Sequence, residues 1–271
     1  MFECVVNLSE GRRAEVLDEF ARAAGASLAD RHADSFHHRS VFTLINDRDE
    51  LVRDVRALIG AAFDRLDLAT HEGVHPRFGV VDVVPFVALD VAKSGDACEM
   101  RNDTAHWIAD TYDVPCFYYG PVGDVTLRTL PEVRRHAFRS LAPDVGPASA
   151  HPRWGASAVG CRPILVAWNL WLENVSLEAA RAIATRLRRP ALRTLALPVG
   201  HFVQVSCNVV DVSAIRLSQI YDDVLAHLSG EGRIARAELV GLAPTSLLEA
   251  EDPSRLVELD LAAERTIEAR A

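Results

Sequence analysis

Apolar and polar positions follow two different periods along residues 1–90. Apolar side chains recur every three or four positions in Arg13–Ala24 and in Leu51–Leu66, which is the spacing of an amphipathic helix. Short apolar or β-branched runs predict strands at Phe2–Val6, Ser27–Ala29, Ser40–Ile45 and Gly79–Leu89. The predicted order is βαββαβ, which is the split-βαβ or ferredoxin-like arrangement.

The second half of the chain repeats this pattern, without visible sequence identity to the first half. Strands are predicted at Arg162–Leu172, Thr194–Leu197, Phe202–Val212 and Ile234–Val240, and helices at Leu177–Leu187 and Ile215–Leu228. We therefore expect an α+β fold of two ferredoxin-like subdomains packed as α/β layers, covering residues 1–172 and 173–271. Open-faced layers of this kind need a partner surface, so a homodimer is expected.

Other elements are expected between the two halves and at the end of the chain. A helix is predicted at Ser94–Tyr112 and a strand at Cys116–Tyr119. A final helix is predicted at Arg255–Ala269, because Asp252-Pro253 interrupts the chain before it.

The composition is that of a folded, acidic protein. Of 271 residues, 49% are hydrophobic and 25% are charged, and the formal net charge is −9 at pH 7. This balance argues against a nucleic-acid or membrane-surface binder, which carries a basic patch. No signal peptide is visible, and the longest apolar run, Ile164–Leu172, is too short to span a membrane. We expect a cytoplasmic protein whose five scattered cysteines are reduced and mostly buried.

Residues 71–79, HEGVHPRFG, carry the most distinctive chemistry. They match the H-E-x-x-H pattern of zinc metalloproteases, which requires a helix so that both imidazoles point from one face. Gly73 costs about 1 kcal/mol in a helix interior, and Pro76 pushes His75 towards extended backbone. The segment is therefore predicted as a loop with no metal, in which His75 is an acid/base group and Arg77 binds an anion or stabilises developing charge. A solvated turn without chemistry and, last, a zinc hydrolase are the alternatives.

Five segments resemble the signature motifs of the glutamate formiminotransferase family. They are ECVVNLSEGR (Glu3–Arg12), HEGVHPRFGVVDVVPF (His71–Phe86), VGPASAHPRWGAS (Val145–Ser157), QVSCNVVD (Gln204–Asp211) and ELVGLAP (Glu238–Pro244). The resemblance extends from Glu3 to about Leu248 and implies two ferredoxin-like subdomains in a homodimer. We expect no cyclodeaminase domain of the kind that follows the transferase in the animal enzymes.

This resemblance implies a reaction and a set of site residues. A formimino group would move from N-formimino-L-glutamate to N5 of the co-substrate tetrahydrofolate, and no metal is expected. The family's catalytic histidine, which stands before Pro-Arg, is His75 here, and the arginine is Arg77, which would orient the glutamate carboxylate. Trp154 is a candidate for stacking on the pterin. The loop that resembles the family's folate-binding loop consists of Gly146, Pro147, Ala148, Ser149, Ala150, His151, Pro152, Arg153, Trp154 and Gly155.

The chain departs from the family pattern just before the predicted strand at Ser40. The family has an Asp-x-Asp segment whose second aspartate is thought to assist the catalytic histidine, and His32 occupies that place here. Either Asp34, two residues on, takes over this role or the histidine is oriented differently. Val74 also replaces a family glutamate. Two alternatives therefore stay open: a one-carbon transferase with another formimino donor, and a catalytically silent folate-binding protein.

Further polar residues near the first helix have two interpretations each. Asn7 or Ser9 caps the helix, or the free amides there and Arg12 face a bound anion, with Asn7 as a candidate substrate contact. His37 and His38 are interpreted as solvated loop residues, since adjacent side chains of an extended segment point in opposite directions.

The expected substrates are both carboxylates, although the protein is acidic. A local basic pocket is therefore expected, formed by Arg12, Arg39, Arg77 and Arg153. Asn208, near a predicted strand, is a candidate substrate contact, with a solvated strand end as the alternative.

Overall fold

The computed structural model of the protein describes residues 1–73, 77–123 and 126–271. These form two compact units, Met1–Pro163 and Ile164–Ala271. The predicted boundary between residues 172 and 173 falls inside the strand Val166–Glu173, which pairs along its length with strands of the second unit. The whole strand therefore belongs to the second unit, and the division comes earlier, after Pro163.

The first unit is a mixed α/β structure built on one sheet. In chain order its elements are β1 (Phe2–Leu8), α1 (Ala14–Ala23), β2 (Leu28–Asp34), β3 (Arg39–Asn46), α2 (Arg48–Arg65), β4 (Val81–Ala88), α3 (Ser94–Tyr112), β5 (Cys116–Val122), β6 (Thr126–Arg128), α4 (Leu130–His136) and β7 (Ser157–Cys161). The strand order is β2-β3-β1-β4-β7-β5-β6. β1 runs antiparallel to β3 and β4, whereas β7 runs parallel to β4 and β5. The helix and strand periods of residues 1–90 are thus confirmed.

Burial in the first unit follows the predicted periods. The buried side chains of α1 are Val16, Leu17 and Phe20, which share one face of the helix. Phe20 meets the ring of Phe42 on β3 edge-on, with ring centroids 6.2 Å apart. Each such buried side chain stabilises the fold by about 1.5–3 kcal/mol. This core fixes β1 and α1, and therefore also the loop between them.

The second unit has its own sheet and helices. Its elements are β8 (Val166–Glu173), α5 (Leu177–Leu187), β9 (Leu192–Val199), β10 (Phe202–Val209), α6 (Leu217–His227), β11 (Arg233–Val240), α7 (Thr245–Glu249) and α8 (Ile267–Arg270). The strands lie in the order β11-β8-β10-β9. If the strands of the second unit are numbered from its start, their order in the sheet is fourth, first, third, second. The first four strands of the first unit have the same order, β4-β1-β3-β2. The chain is therefore α+β with two sheets.

One predicted element is wrong, and another begins too early. The strand expected over Arg162–Leu172 is β8, which spans Val166–Glu173 and so begins four residues later than predicted. The final helix expected over Arg255–Ala269 is replaced by short helical turns and α8. Its path is interrupted at Asp260, which has a left-handed φ of 55° and accepts hydrogen bonds from the Leu239 amide at 2.7 Å and from Arg265 Nη1 at 2.9 Å. These tertiary contacts of Asp260 favour an interrupted path over the continuous helix that the apolar spacing predicted.

The cysteines are not all reduced, which corrects the expectation from their spacing. Cys98 on α3 and Cys161 at the end of β7 form a disulfide, with Cα atoms 5.2 Å apart. Cys4, Cys116 and Cys207 are free and buried, and burial raises the pKa of Cys207 to about 12. The sequence gives no sign of the pair, because the fold brings together residues 63 positions apart.

Among the helices in the described ranges, none is both long enough and apolar enough to cross a bilayer.

Candidate active site

Three segments of the first unit meet around a cavity of about 280 Å³. They are the loop between β1 and α1, the turn between β2 and β3, and the residues after α2 that lead to His71. Its lining residues are Ser9, Glu10, Arg12, Arg13, His38, Arg65, Leu66, Asp67, Thr70 and His71. Several of these side chains are ionisable, so the cavity is a polar site rather than an apolar void.

Glu10 is a buried carboxylate in the loop between β1 and α1. Its Oε1 accepts hydrogen bonds from the amides of Arg12 at 2.8 Å and Arg13 at 3.0 Å, and its Oε2 accepts one from Arg13 Nε at 2.6 Å. Burial alone raises the pKa of Glu10, but these hydrogen bonds lower it to about 2. The Glu10 carboxylate therefore binds the backbone amides of Arg12 and Arg13, which are amides that a bound anion was expected to face.

Neither residue proposed as a helix cap has that role. Ser9 Oγ donates to the carbonyl oxygen of Gly79 at 2.9 Å. Asn7 Nδ2 donates to the carbonyl oxygen of Val5 at 2.8 Å, and no side chain caps α1 at Arg13. The capping interpretation is wrong because Glu10, one residue further on, takes the amides.

His38 lies at the end of the turn between β2 and β3, with a left-handed φ of 50°. Its Nδ1 lies 2.7 Å from the carbonyl oxygen of Glu72, and its Nε2 lies 3.2 Å from Glu10 Oε1. His37, beside it, is buried. The solvated-loop interpretation is therefore wrong: the chain turns here, so the alternation of an extended segment does not apply.

His71 packs against His38, with ring centroids 4.0 Å apart and the planes tilted by 31°. Burial lowers the pKa of His71 to about 4, with smaller contributions from the positive charges of His38 and Arg77. His71 is therefore neutral at pH 7. Within the described ranges its buried Nε2 has no hydrogen-bond partner.

Arg77 organises the segment around it. Its Nη2 donates to the carbonyl oxygen of Gly73 at 2.6 Å, and its Nη1 donates to that of His71 at 3.3 Å. A Cβ on Gly73 would lie 2.5 Å from the carbonyl oxygen of His37, so only glycine fits this approach. His71–Gly73 is not helical, as the loop prediction requires. His75, together with Val74 and Pro76, lies outside the described residues.

No metal centre is evident in the described part of the chain. No group of three or more histidine, cysteine, aspartate or glutamate side chains there is placed to hold a metal ion.

A buried charge network lies beside this site on β1, β3 and β4. Arg39 donates through Nε and Nη2 to Asn7 Oδ1, at 3.2 and 2.9 Å, and through Nη1 to Asp82 Oδ2. Arg134 of α4 donates through Nη2 to the same Asp82 oxygen at 2.6 Å. Burial alone raises the pKa of Asp82, but the two arginines lower it to about 2. Arg39 and Asn7, both predicted site residues, are thus brought together.

Asp82 and Arg134 were not among the site residues predicted from the sequence. The available signal was an aspartate in the middle of the apolar run VVDVVPF, since a buried charge needs partners. Its partners cannot be found by spacing, because Arg39 and Arg134 lie 43 and 52 positions away.

Asp34 makes its described contacts within its own turn. Its Oδ1 accepts hydrogen bonds from the amides of Phe36 at 2.7 Å and His37 at 2.8 Å, and its Oδ2 lies 3.9 Å from His37 Nε2. Arg12 joins the same turn, donating from Nε to the carbonyl oxygen of Ser35 at 2.8 Å. Arg12 and Asp34 therefore lie in the same part of the unit.

The Gly146–Gly155 loop packs against the end of α2, close to Leu66 of the cavity wall. Arg153 donates from Nε to the carbonyl oxygen of Leu66 and from Nη2 to that of Asp64, both at 3.2 Å. Its own carbonyl oxygen accepts from the Leu68 amide at 2.8 Å. These bonds satisfy carbonyl groups at the helix end and place the predicted folate loop next to the cavity.

Trp154 of this loop is packed among other rings. Its ring stacks on His151 at 4.3 Å and touches Phe63 at 5.0 Å and Tyr112 at 5.9 Å. Its Nε1 donates to the carbonyl oxygen of Phe63 at 2.9 Å. These contacts anchor the loop, and stacking of Trp154 on a pterin stays a prediction.

Asn208 belongs to the second unit. It lies on β10, opposite Ala167 of β8 and Arg193 of β9.

The chain was compared with known proteins. The model of the family described as "Formiminotransferase domain, N-terminal subdomain" matches residues 1–162. The chain is 30% identical over 269 residues to a protein named glutamate formimidoyltransferase from Streptococcus pyogenes serotype M1, covering 91% of this chain and 90% of that protein. It is 29% identical to a protein of the same name from Thermoplasma acidophilum, covering 92% and 89%.

A longer relative shows the same similarity over part of its length. The formimidoyltransferase-cyclodeaminase of Rattus norvegicus is 28% identical over 276 residues, which cover 92% of this chain and 51% of that protein. The chain therefore spans about half the length of this relative.

Proposed function

This chain belongs to the formiminotransferase family, and we propose that it transfers a formimino group from N-formimino-L-glutamate to N5 of tetrahydrofolate. The observation that carries the proposal is the match, along nearly the whole length of both chains, to a protein named glutamate formimidoyltransferase. The cavity lined by His71 and His38 adds a polar site in the unit that the family model covers.

The architecture supports a finer description of the fold. Both βαββαβ runs have the strand order fourth, first, third, second, so each is a ferredoxin-like subdomain. The first subdomain carries β5, β6 and β7 as an extension of its sheet. A homodimer is part of the same proposal, because open-faced layers of this type need a partner surface.

The proposed reaction is an acyl-type transfer between two nitrogens. N5 of tetrahydrofolate attacks the formimino carbon, forming the N5–carbon bond. His75 takes the proton from N5 and returns it to the nitrogen of glutamate as the carbon–nitrogen bond to glutamate breaks. The group is transferred intact, and glutamate leaves as the free amine. The proposed mechanism needs neither a metal nor a redox step.

The arginines of the first unit supply a positive environment for the two carboxylate substrates. Arg39 and Arg134 share the single carboxylate of Asp82, so these three side chains keep a net positive charge. Arg77 holds the carbonyl groups on the path to His75, and we assign it orientation of the substrate carboxylate as well. Arg12, at the cavity, is the fourth cation of the proposed site.

Other roles belong to the same proposal. Asp34 orients His75 in place of the family aspartate, whose position is taken by His32. The Gly146–Gly155 loop binds tetrahydrofolate with its end fixed to α2 by Arg153. Asn208 contacts substrate from the second unit.

A spectroscopic assay tests the proposal. Purified chain is mixed with tetrahydrofolate and N-formimino-L-glutamate, and formation of the transferred product is followed by absorbance. His75→Ala is expected to lower kcat by about 10²–10⁴-fold, since that is the usual contribution of acid/base catalysis. His227→Ala is the control, because His227 is exposed at the end of α6. No turnover by the wild-type chain above the His75→Ala level would contradict the proposal.

One observation favours a second candidate, a transferase with another formimino donor. His32 occupies the place of the family aspartate, and the described contacts of Asp34 lie in its own turn. Binding of tetrahydrofolate without turnover of N-formimino-L-glutamate, but with turnover of another amidine, would favour it. Binding with no turnover of any amidine would instead favour a silent folate-binding protein.

A further inference from the structure

His38 joins three segments of the first unit that are distant in sequence. Its two ring nitrogens contact the Glu72 carbonyl oxygen at 2.7 Å and Glu10 Oε1 at 3.2 Å. Its ring lies on that of His71, and its side chain is 14% exposed. His38 thereby ties the turn between β2 and β3 to the loop before α1 and to the residues that precede His75.

The two acceptors beside His38 determine how many N–H donors its ring needs to form both hydrogen bonds. A neutral imidazole has a single N–H and can donate one hydrogen bond, whereas the protonated ring donates two. Because a carbonyl oxygen and the carboxylate of Glu10 face its two nitrogens, both bonds form together only when the ring is an imidazolium. The other ionisable neighbours are His71, which is neutral, and beyond it Arg12 and Arg77, whose charges act on His71.

The backbone of His38 is held in an unusual conformation. A φ of 50° is adopted by only a few per cent of residues other than glycine, and histidine is, with asparagine and aspartate, among those that adopt it more often. Such conformations persist where the surrounding contacts fix them, and they cluster at functional sites. The contacts to Glu10 and Glu72 are the ones that hold His38 in place.

Residues 74–76 are flanked by two tied ends. Before them, the Glu72 carbonyl is bound by His38, and Gly73 lies so close to the turn that a Cβ would be 2.9 Å from His38 Cβ. After them, Arg77 donates back to the carbonyl oxygen of Gly73 at 2.6 Å. The starting and ending points of the segment that contains His75 therefore both depend on the turn that His38 fixes.

We propose that His38 is a positioning residue: held between Glu10 and the Glu72 carbonyl, it fixes Glu72 and Gly73 and, through Gly73, the guanidinium of Arg77, and this arrangement sets the rate of the proposed transfer. This inference rests on the proposed function. The role matters for rate because a misplacement of about 1 Å can cost about 10²-fold in turnover.

The variant His38→Gly tests the role. Glycine accepts the left-handed backbone, so the turn is preserved while the imidazole is removed. We expect kcat to fall by about 10²-fold, with KM changed by less than about threefold, because the substrates bind but Glu72, Gly73 and Arg77 are displaced. Added imidazole, which can occupy the vacated space beside Glu10, is expected to restore at least about tenfold of the lost kcat. His227→Gly, which also removes an imidazole bound to a backbone carbonyl, is the matched control and is expected to keep its kcat.

A double-mutant cycle with Glu10→Gln separates this role from a general structural one. If Glu10 and His38 act as a unit, the double variant loses no more kcat than His38→Gly alone. Losses that add, or a loss that imidazole does not restore, would overturn the proposal.

Hydrogen exchange gives a readout that does not need turnover. In His38→Gly, amides of the peptide spanning residues 66–80 are expected to exchange faster, while those of the second unit stay unchanged. A wild-type chain without turnover would contradict the proposed function. An active wild type, whose His38→Gly variant keeps both kcat and exchange rates, would contradict the positioning role alone.

Discussion

Replacing Asp82 by asparagine tests the charge network on the first sheet. Asp82 is fully buried and bound by Arg39 and Arg134, which hold its pKa at about 2 against an ordinary value of 3.8. A shift of nearly two units contributes about 2 kcal/mol of stability at neutral pH, at roughly 1.36 kcal/mol per unit. Asp82→Asn keeps the shape but leaves two guanidinium groups without their carboxylate, and breaking a buried pair costs about 3–5 kcal/mol. Because both guanidiniums retain some exposure, at 13% and 24%, we expect a loss of about 3 kcal/mol.

Urea unfolding at pH 7, followed by circular dichroism, measures this loss. Asp222→Asn is the control, because Asp222 is 60% exposed and pairs with Arg255 at 2.8 Å, and exposed pairs contribute less than about 1 kcal/mol. The contribution of Asp82 is present in full above its unfolded pKa of about 4 and is lost as the pH falls through about 2. The difference between wild type and variant must therefore narrow in acid. An Asp82→Asn variant as stable as wild type at pH 7, or a difference that stays constant down to pH 2, would refute this reasoning.

Three further predictions follow from single contacts. Thiol titration of the unfolded, unreduced chain is expected to find three free thiols, and five would contradict the disulfide. The double variant Cys98→Ala/Cys161→Ala is expected to lose up to about 4 kcal/mol in the free energy of unfolding, because the disulfide closes a long loop. Trp154→Phe removes the bond from Nε1 to Phe63 and is expected to cost about 1 kcal/mol in urea unfolding; an unchanged midpoint would show that the bond does not stabilise the loop. His71, whose pKa is lowered to about 4, binds a proton in the unfolded chain between about pH 6.5 and 4 but not in the fold, so stability falls as the pH drops through that range; His71→Asn is expected to flatten this part of the profile.

The elements could be predicted where local spacing decides the structure. α3 and α5 have the bounds that the apolar spacing predicted, Ser94–Tyr112 and Leu177–Leu187, because one face of each packs on a sheet. The end of the chain could not be predicted in this way. There Asp260 bonds to the Leu239 amide, 21 positions away, and such a contact leaves no periodic trace in the sequence.

In the candidate site, likewise, local sequence patterns predicted some residues, whereas contacts between distant residues could not be predicted. The family motif HPR indicated Arg77, and the expected basic pocket included Arg39, but the residues that these arginines contact were not predicted. Glu10 was not singled out from the sequence, and His38 was interpreted as a solvated loop residue, because their contact joins residues 28 positions apart. Local patterns thus identify which segments matter, whereas the pairing of charges across the sheet requires the fold.

The structure also changes what the predicted basic pocket means. Arg12 and Arg153 make hydrogen bonds to carbonyl groups, as Arg77 does, and carbonyl acceptors fix a guanidinium without cancelling its charge. Arg39 is bound to a buried carboxylate, that of Asp82, and Arg153 Nε lies 4.0 Å from Asp67 Oδ2. Neutral carbonyl groups thus take part in orienting Arg12, Arg77 and Arg153, and we expect the charges of these arginines to act on a bound substrate. An acidic chain of net charge −9 can attract two carboxylate substrates in this way, since the field at the site depends on nearby charges more than on the total.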